Sequence, residues 1–463
     1  MGECGFYPWI PNDSEVNRPM AKHTPVPVET EVSSFDVSFR QTRGSLREQE
    51  KQRRKLARVQ GRTLLVGLDL AQEKQAISFV YKGRHLGRKR MDCAPQRLGE
   101  ALGPYIRQLC EAEGLDRAVI GIEPASYFWE LAAESFEAAG LDCVILHTLS
   151  VKRERETVRY TPEKTDPRDA DLACSLMERG QFTDARLPRC EKRAAMAALA
   201  REYLMLRARS ASELARLKSF WGRVLPELGE LLKEPGGITG LAISRAMLPF
   251  SELVQLREEE WLARVRAHAG GRVMARVSAG VLQRVSEAHA AAHRRSGEGV
   301  PRRIRLCAER RAMLERQKHD VSEALLALYD GFPESVLMDS VPGSNRLYSA
   351  LTLGLAGDLS DYDCGRALVK QAGSEVNEYA SGEWRGRSRI SHRGRAGLRT
   401  AAYQQAKMLV RTTEGFRERF VRLSGRLTPK QAYVAVANAW LRLVHTLVTT
   451  GQPWRADAGE RGT

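Results

Sequence analysis

The sequence predicts an α/β domain built on a mixed sheet, then a long α-helical region and a mainly α-helical C-terminal domain. Three observations predict it. Over residues 61–184, short apolar runs alternate with segments of helical spacing. Over 185–330 the chain is rich in Ala, Leu, Arg and Glu and almost free of strand signals. Over 331–452, Pro and Gly punctuation returns between helical segments. A chain of 463 residues is long enough for two or three such parts, each with its own core.

Residues 1–60 open with the polar, Pro-containing "YPWIPNDSEVNRPMAKHTPVPVETEVSS" and close with the charged run "REQEKQRRKLARVQGR". They lack clean periodicity, and we read a flexible arm whose basic end lies on nucleic acid. "RTLLVGLDLA" is an apolar run ending in an acid, and "KQAISFVYKGRHLGRKRMD" gives two strands around a Lys-Gly turn. In "PQRLGEALGPYIRQLCEAEG" the residues Leu98, Leu102, Ile106, Leu109 and Cys110 share one helical face. "DRAVIGIEPAS" is a buried strand ending in Glu123, "YFWELAAESFEAAG" a helix stopped by Gly140, and "LDCVILHT" a further strand. "SVKRERETVRY" is basic and helical, and "DPRDADLACSLMERG" is a last helix capped at Gly180. The resulting order, β-β-β-α-β-α-β-α and a last helix, suits a sheet covered on both faces. It is the element order of the ribonuclease-H-like fold.

Two long amphipathic segments bound the 185–330 region, and they predict a coiled-coil pair that serves as spacer or oligomerisation element. Residues 331–452 begin with a helix-turn-helix around Pro342-Gly343 and continue through a basic Gly/Ser loop. They end in a helix with Thr428 as N-cap and Pro429 at its first position, ahead of a tail over 453–463.

The formal net charge is +16, from 73 Lys and Arg against 57 Asp and Glu. The excess is spread along the chain, so the expected partner is a polyanion, nucleic acid before acidic membrane. No apolar run reaches bilayer length, and no signal-peptide core follows the N-terminus. Eight scattered cysteines without a C-x-x-C pair argue against structural zinc and for free thiols. The expectation is a cytoplasmic protein without a membrane segment.

Four acids stand out. Asp69 and Glu123 end two predicted buried strands, and parallel neighbours would present both at one sheet edge. Asp166 and Asp169, in "PEKTDPRDADLA", share a face at the start of the last helix. Each has a plainer reading: an acid after a strand is commonly a solvated loop residue, and Asp166-Pro167 is a common helix start. Together, four converging carboxylates would repel one another unless a hard divalent cation such as Mg2+ sat among them. Two such ions can promote phosphodiester cleavage.

The segments "GLDLAQEKQ", "GIEPASYFWELAAESFEAAGLDCVIL", "VKRERE" and "KTDPRDADLACSLMERG" resemble the catalytic domain of insertion-sequence 110 transposases of the DEDD type. "VPGSNRLYSALTLGLAGDLSDYDCGRALVKQAGSEVNEYASGEWRGRSRISHRGRAGLRTAAYQQA" resembles that family's second domain. The family includes site-specific DNA invertases. The resemblance implies that Asp69, Glu123, Asp166 and Asp169 bind Mg2+, and that Ser381 in "YASGEWRG" is a nucleophile that forms a phosphoserine link to DNA. It implies that the tetrad and Ser381 act together. It further implies a structured non-coding bridge RNA as guide, donor and target DNA as substrates, and a homo-oligomer, dimer or tetramer. The alternatives are a resolvase-like Mg2+-dependent nuclease or an invertase without an RNA guide.

Taken alone, a basic Gly/Ser loop more often grips phosphates through backbone N–H groups and through Arg385, Arg387 and Arg389. Trp384 is a candidate for base stacking, though such a residue also packs locally. Lys152, Arg153, Arg155, Lys164 and Arg393 are further candidate nucleic-acid contacts, against the default of a solvated charged face. Two departures from the family pattern are visible. Asn345 stands where the Pro-Gly-x-Gly turn has its second glycine, and is expected to tolerate the left-handed region. His392 and Arg395 stand where Lys and Asn are typical, which changes local contacts.

Overall fold

A computed structural model describes residues 43–124, 127–159, 166–185, 190–226, 235–253, 255–269, 287–288, 291, 299–377, 380–381, 384–385 and 389–455. The chain divides into two compact units, one up to Ala185 and one from Arg186.

In the first unit, β1 (Thr63–Asp69), β2 (Lys74–Tyr81) and β3 (Arg84–Asp92) form an antiparallel meander. Lys82 and Gly83 both take positive φ, 49° and 74°, as the tight turn between β2 and β3 requires. β4 (Arg117–Ile122) adds parallel to β1, β5 (Asp142–Leu146) adds parallel to β4, and β6 (Phe182–Asp184) closes the edge antiparallel. The sheet order is β3-β2-β1-β4-β5-β6, which is the mixed ribonuclease-H-like sheet that the element order predicts. The short β6 carries no signal long enough to be read from sequence.

The central strands β1 and β4 are buried on both faces, as their unbroken apolar runs require. α2 (Leu98–Glu113) and α3 (Phe128–Ala138) bury Leu98, Leu102, Ile106, Ala132, Ala133 and Phe136. α4 (Thr148–Arg159) and α5 (Asp166–Glu178) supply Val151, Ala173, Cys174, Leu176 and Met177 to a core with Leu65 and Val119. β3, at the sheet edge, alternates exposed and half-buried residues and carries basic side chains, which guard against edge pairing.

The charged run expected to be a flexible arm is instead a helix, α1 (Arg43–Val59), up to its last residues. It holds because Val59 is buried and Arg58 reaches the carboxylates of Asp142 on β5 and Asp184 on β6. Residues 1–42 of the arm lie outside the described residues.

In the second unit, α6 (Glu191–Val224) and α10 (Gly299–Asp330) are the two long helices, and they pack against each other. Between them in sequence come α7 (Ile238–Ala246), α8 (Phe250–Leu253) and α9 (Glu258–Ala269). A core of Leu217, Trp221, Ile243, Met247, Trp261, Val265 and Ile304 joins one end of the long pair to these short helices. The other end, through Met196, Ala200, Tyr203, Leu325 and Tyr329, belongs to the core of the C-terminal helices. The spacer and the C-terminal part therefore share one compact unit. The interface of the long pair is not purely apolar. Glu213 bonds Arg310, and Ser210 bonds Glu315 and Arg311.

The C-terminal helices are α11 (Pro333–Asp339), α12 (Arg346–Ala356), α13 (Gly365–Gln371), α14 (Ala396–Thr412), α15 (Glu414–Ser424) and α16 (Pro429–Thr450). Thr428 and Gln431 form a reciprocal capping box on α16, with Pro429 at its first turn. Among the described residues no helix is long and apolar enough to cross a membrane.

Candidate active site

The site at the sheet edge is built from the alternation of β1 and β4. Leu65 pairs with Val119 and Gly67 with Gly121 on the two parallel strands, all on one sheet face. On that face the Gly67–Gly121 pair leaves a gap without side chains, and α5 seats in it. A Cβ at Gly67 would lie 2.0 Å from the Ala170 carbonyl oxygen, and one at Gly121 would lie 2.7 Å from the Met177 sulfur. The next residues in the same alternation are Asp69 and Glu123, directly after the register pair Leu68–Ile122. Both are half-buried. Asp169 precedes the residue that touches Gly67, so the packing sets the first turn of α5 toward the end of β1 that carries Asp69.

Three devices fix this edge. Gln75, almost fully buried, accepts from Ala71 N–H at 3.0 Å and donates to the Ala71 and Cys93 carbonyls at 2.8 Å, which holds the turn after Asp69. Asp171 accepts from Ser78 Oγ at 2.7 Å and takes both ends of the Arg88 guanidinium, so α5 is clamped to β2 and β3. Asp169, 5% exposed, accepts two bonds from Arg155 of α4, from Nε at 3.0 Å and from a terminal nitrogen at 2.8 Å, both on Oδ1. A second α4–α5 link joins buried Glu154 to Arg179 and Ser175. Arg88 from β3 on Asp171 and Arg155 from α4 on Asp169 thus hold the first turns of α5 to two different elements.

Arg155, expected to lie on a nucleic-acid backbone, is thus turned inward onto Asp169, because a buried carboxylate needs a charged partner. Lys152 lies within 4.0 Å of Glu156 and is exposed, as is Arg153. Asp166 is the first residue of α5, and its backbone alone is described. Lys164 lies outside the described residues.

As to metal, the donor chemistry fits: Asp69, Glu123 and Asp169 are hard oxygen donors, and Asp169 keeps Oδ2 clear of the Arg155 bonds. Among the described residues, no three His, Cys, Asp or Glu side chains gather as a metal-holding group.

In the second unit, Ser381 ends the short strand β8 (Ala380–Ser381), which pairs with β9 (Trp384–Arg385), Ser381 opposite Trp384. β7 (Val376–Asn377) and β10 (Arg389–Ile390) pair on either side of that hairpin in sequence. Ser381 therefore stands at a hairpin bend within a nested ribbon. The side chains of Ser381, Trp384 and Arg385, and all of Arg387, lie outside the described residues. Arg389 and Arg393 are exposed. Two of the sequence departures acquire structural roles. Asn345 sits at φ −92°, not in the left-handed region, and its side chain caps α12 by accepting from Tyr348 N–H. Arg395 donates to the Leu355 carbonyl at 2.6 Å, at the C-terminal end of α12.

The Gly67–Gly121 pair escaped the sequence reading, although a signal was present: each glycine stands two residues before its acid, in "VGLD" and "IGIE".

Two family models match this chain. One, a transposase of the DEDD IS110 type, covers residues 66–226, and the other, the transposase IS116/IS110/IS902 family, covers 335–421. None of the curated proteins matches it.

Proposed function

We propose, for a chain that belongs to the IS110 family of transposases, that it exchanges DNA strands as a Mg2+-dependent serine recombinase guided by a structured RNA. The observation that carries this reading is the acidic sheet edge, where the Gly67–Gly121 gap seats α5 beside the strand ends bearing Asp69 and Glu123. Asp69, Glu123, Asp166 and Asp169 would hold Mg2+, which supplies charge neutralisation at a scissile phosphate when bound. Arg155 holds Asp169 oriented, while the Asp171–Arg88 clamp sets the angle of α5. Ser381 Oγ bonds to phosphorus as the bond from phosphorus to a deoxyribose oxygen breaks and the hydroxyl proton passes to that departing oxygen, so the protein–DNA link conserves the energy of the broken bond for rejoining. With sequence read by base pairing to the RNA, the protein has only shape and backbone to recognise, and the strongly basic composition agrees with this.

The test is adduct trapping with full-length protein, Mg2+, the non-coding RNA flanking its coding region and DNA carrying the element end. A denaturation-resistant protein–DNA adduct is expected, lost in Ser381→Ala and in Asp69→Ala. Free nicked DNA without an adduct would replace this reading with that of a hydrolytic nuclease.

A further inference from the structure

α15 and α16 form a helical hairpin at the end of the second unit, and their contact is fixed by aromatic rings. Phe420 on α15 stacks on Tyr433 of α16 with centroids 4.4 Å apart, and Tyr433 meets Tyr403 of α14 at 5.9 Å. Beside this anchor lies Arg419, half-buried, with its Nε fully enclosed and without a hydrogen-bond acceptor among the described residues. Two further arginines press on its charge. Burial lowers the affinity of the Arg419 guanidinium for its proton, and the positive charges of Arg442 on α16 and Arg422 on α15 lower it further. Arg442 is pressed at its base by the backbone of α13, where a Cβ on Gly365 would stand 2.8 Å from the Arg442 Cα. Arg422 and Arg442 are exposed. Among the described residues, no carboxylate pairs with any of the three. On the same helix Glu414 is taken by Arg417 at 3.0 Å, and Glu418, one residue before Arg419, makes no ion pair with the three.

A partly buried cation without a partner, crowded by two others, costs free energy in the free protein. A bound anion removes that cost, and arginine forks match the paired oxygens of a phosphate. We propose that Arg419, Arg422 and Arg442 form a phosphate-binding cluster that grips the phosphodiester backbone of a nucleic acid. This rests on the reading above that the protein acts on nucleic acid, and it names a contact surface remote in sequence from the serine loop. Arg419 is the half-buried anchor, and Arg422 and Arg442 flank it.

The test measures the salt dependence of binding by full-length protein to two probes, duplex DNA and single-stranded RNA. In the Arg422→Gln, Arg442→Gln double variant, the slope of log affinity against log salt should become shallower by about 1.8 on duplex or about 1.4 on single strands. A change on one probe alone identifies which nucleic acid is held. Arg419→Met, which keeps the stem's bulk, should flatten the slope by about one further phosphate while its melting temperature stays at or above that of the parent. Unchanged slopes on both probes, or a fall in melting temperature for Arg419→Met, would overturn the proposal. Parent protein that binds neither probe would remove the broader reading as well. Parent binding with unchanged variant slopes removes this inference alone.

Discussion

At the residue scale, two glycines and an arginine set the geometry of the acidic edge. Gly67 is required because α5 runs so close to β1 that a Cβ would overlap the Ala170 carbonyl. Gly67→Ala should therefore cost about 3 kcal/mol in denaturant unfolding of the first unit. Gly121→Ala should cost less, since the flexible Met177 side chain yields where a backbone carbonyl does not. Arg155 answers the buried charge of Asp169. Arg155→Ala is expected to destabilise by about 2 kcal/mol, at the low side of buried-pair losses because the guanidinium keeps some solvent contact. A double-mutant cycle with Asp169→Asn checks the pairing: additive losses would show that the two side chains do not depend on each other.

At the scale of elements, caps and buried polar contacts set where helices start and how they register. Asn345→Ala and Thr428→Ala each remove a cap and should cost about 1 kcal/mol in thermal unfolding. In the long α6–α10 pair, burial acts to raise the Glu213 carboxyl. The Arg310 and Cys307 hydrogen bonds and the Arg310 and Arg216 charges outweigh it, leaving the carboxyl below its ordinary value. A carboxyl depressed by folding stabilises the fold above its unfolded pKa, and that contribution disappears as pH falls through the folded value. Acidification into and below the carboxylate range should therefore weaken the second unit, and Glu213→Gln should flatten that part of the stability–pH curve. The apolar spacing of these helices was legible in sequence. Their polar register was not, because Glu213 and Arg310 are far apart in the chain and pair only when the helices pack.

At the scale of the whole molecule, charge and metal chemistry separate into two measurements. The +16 balance predicts nucleic-acid affinity that falls about 10³-fold or more between 50 and 200 mM salt, as for proteins with several phosphate contacts. Chelation of divalent ions should abolish strand cleavage and leave that salt-sensitive binding in place. Loss of binding on chelation would tie the metal to substrate recognition instead. A basic balance can be counted from composition. The Arg419–Arg422–Arg442 cluster cannot, since α15 and α16 must fold back on each other to bring Arg442 beside the others.

By itself, the sequence determined the order β1 to α5 in the first unit, the strands followed by Asp69 and Glu123, and the capped start of α16. These follow from local propensity and from the period of apolar residues, which short segments carry within themselves. Tertiary structure alone decided that the basic run before β1 becomes a helix over Arg43–Val59, since Arg58 needs Asp142 and Asp184 to hold it. It alone turned Arg155 from a presumed surface contact into the partner of Asp169. It alone joined the helical middle to the C-terminal core. Each of these depends on which distant residue arrives opposite, and a buried charge or a close backbone approach is satisfied only once the chain has folded around it.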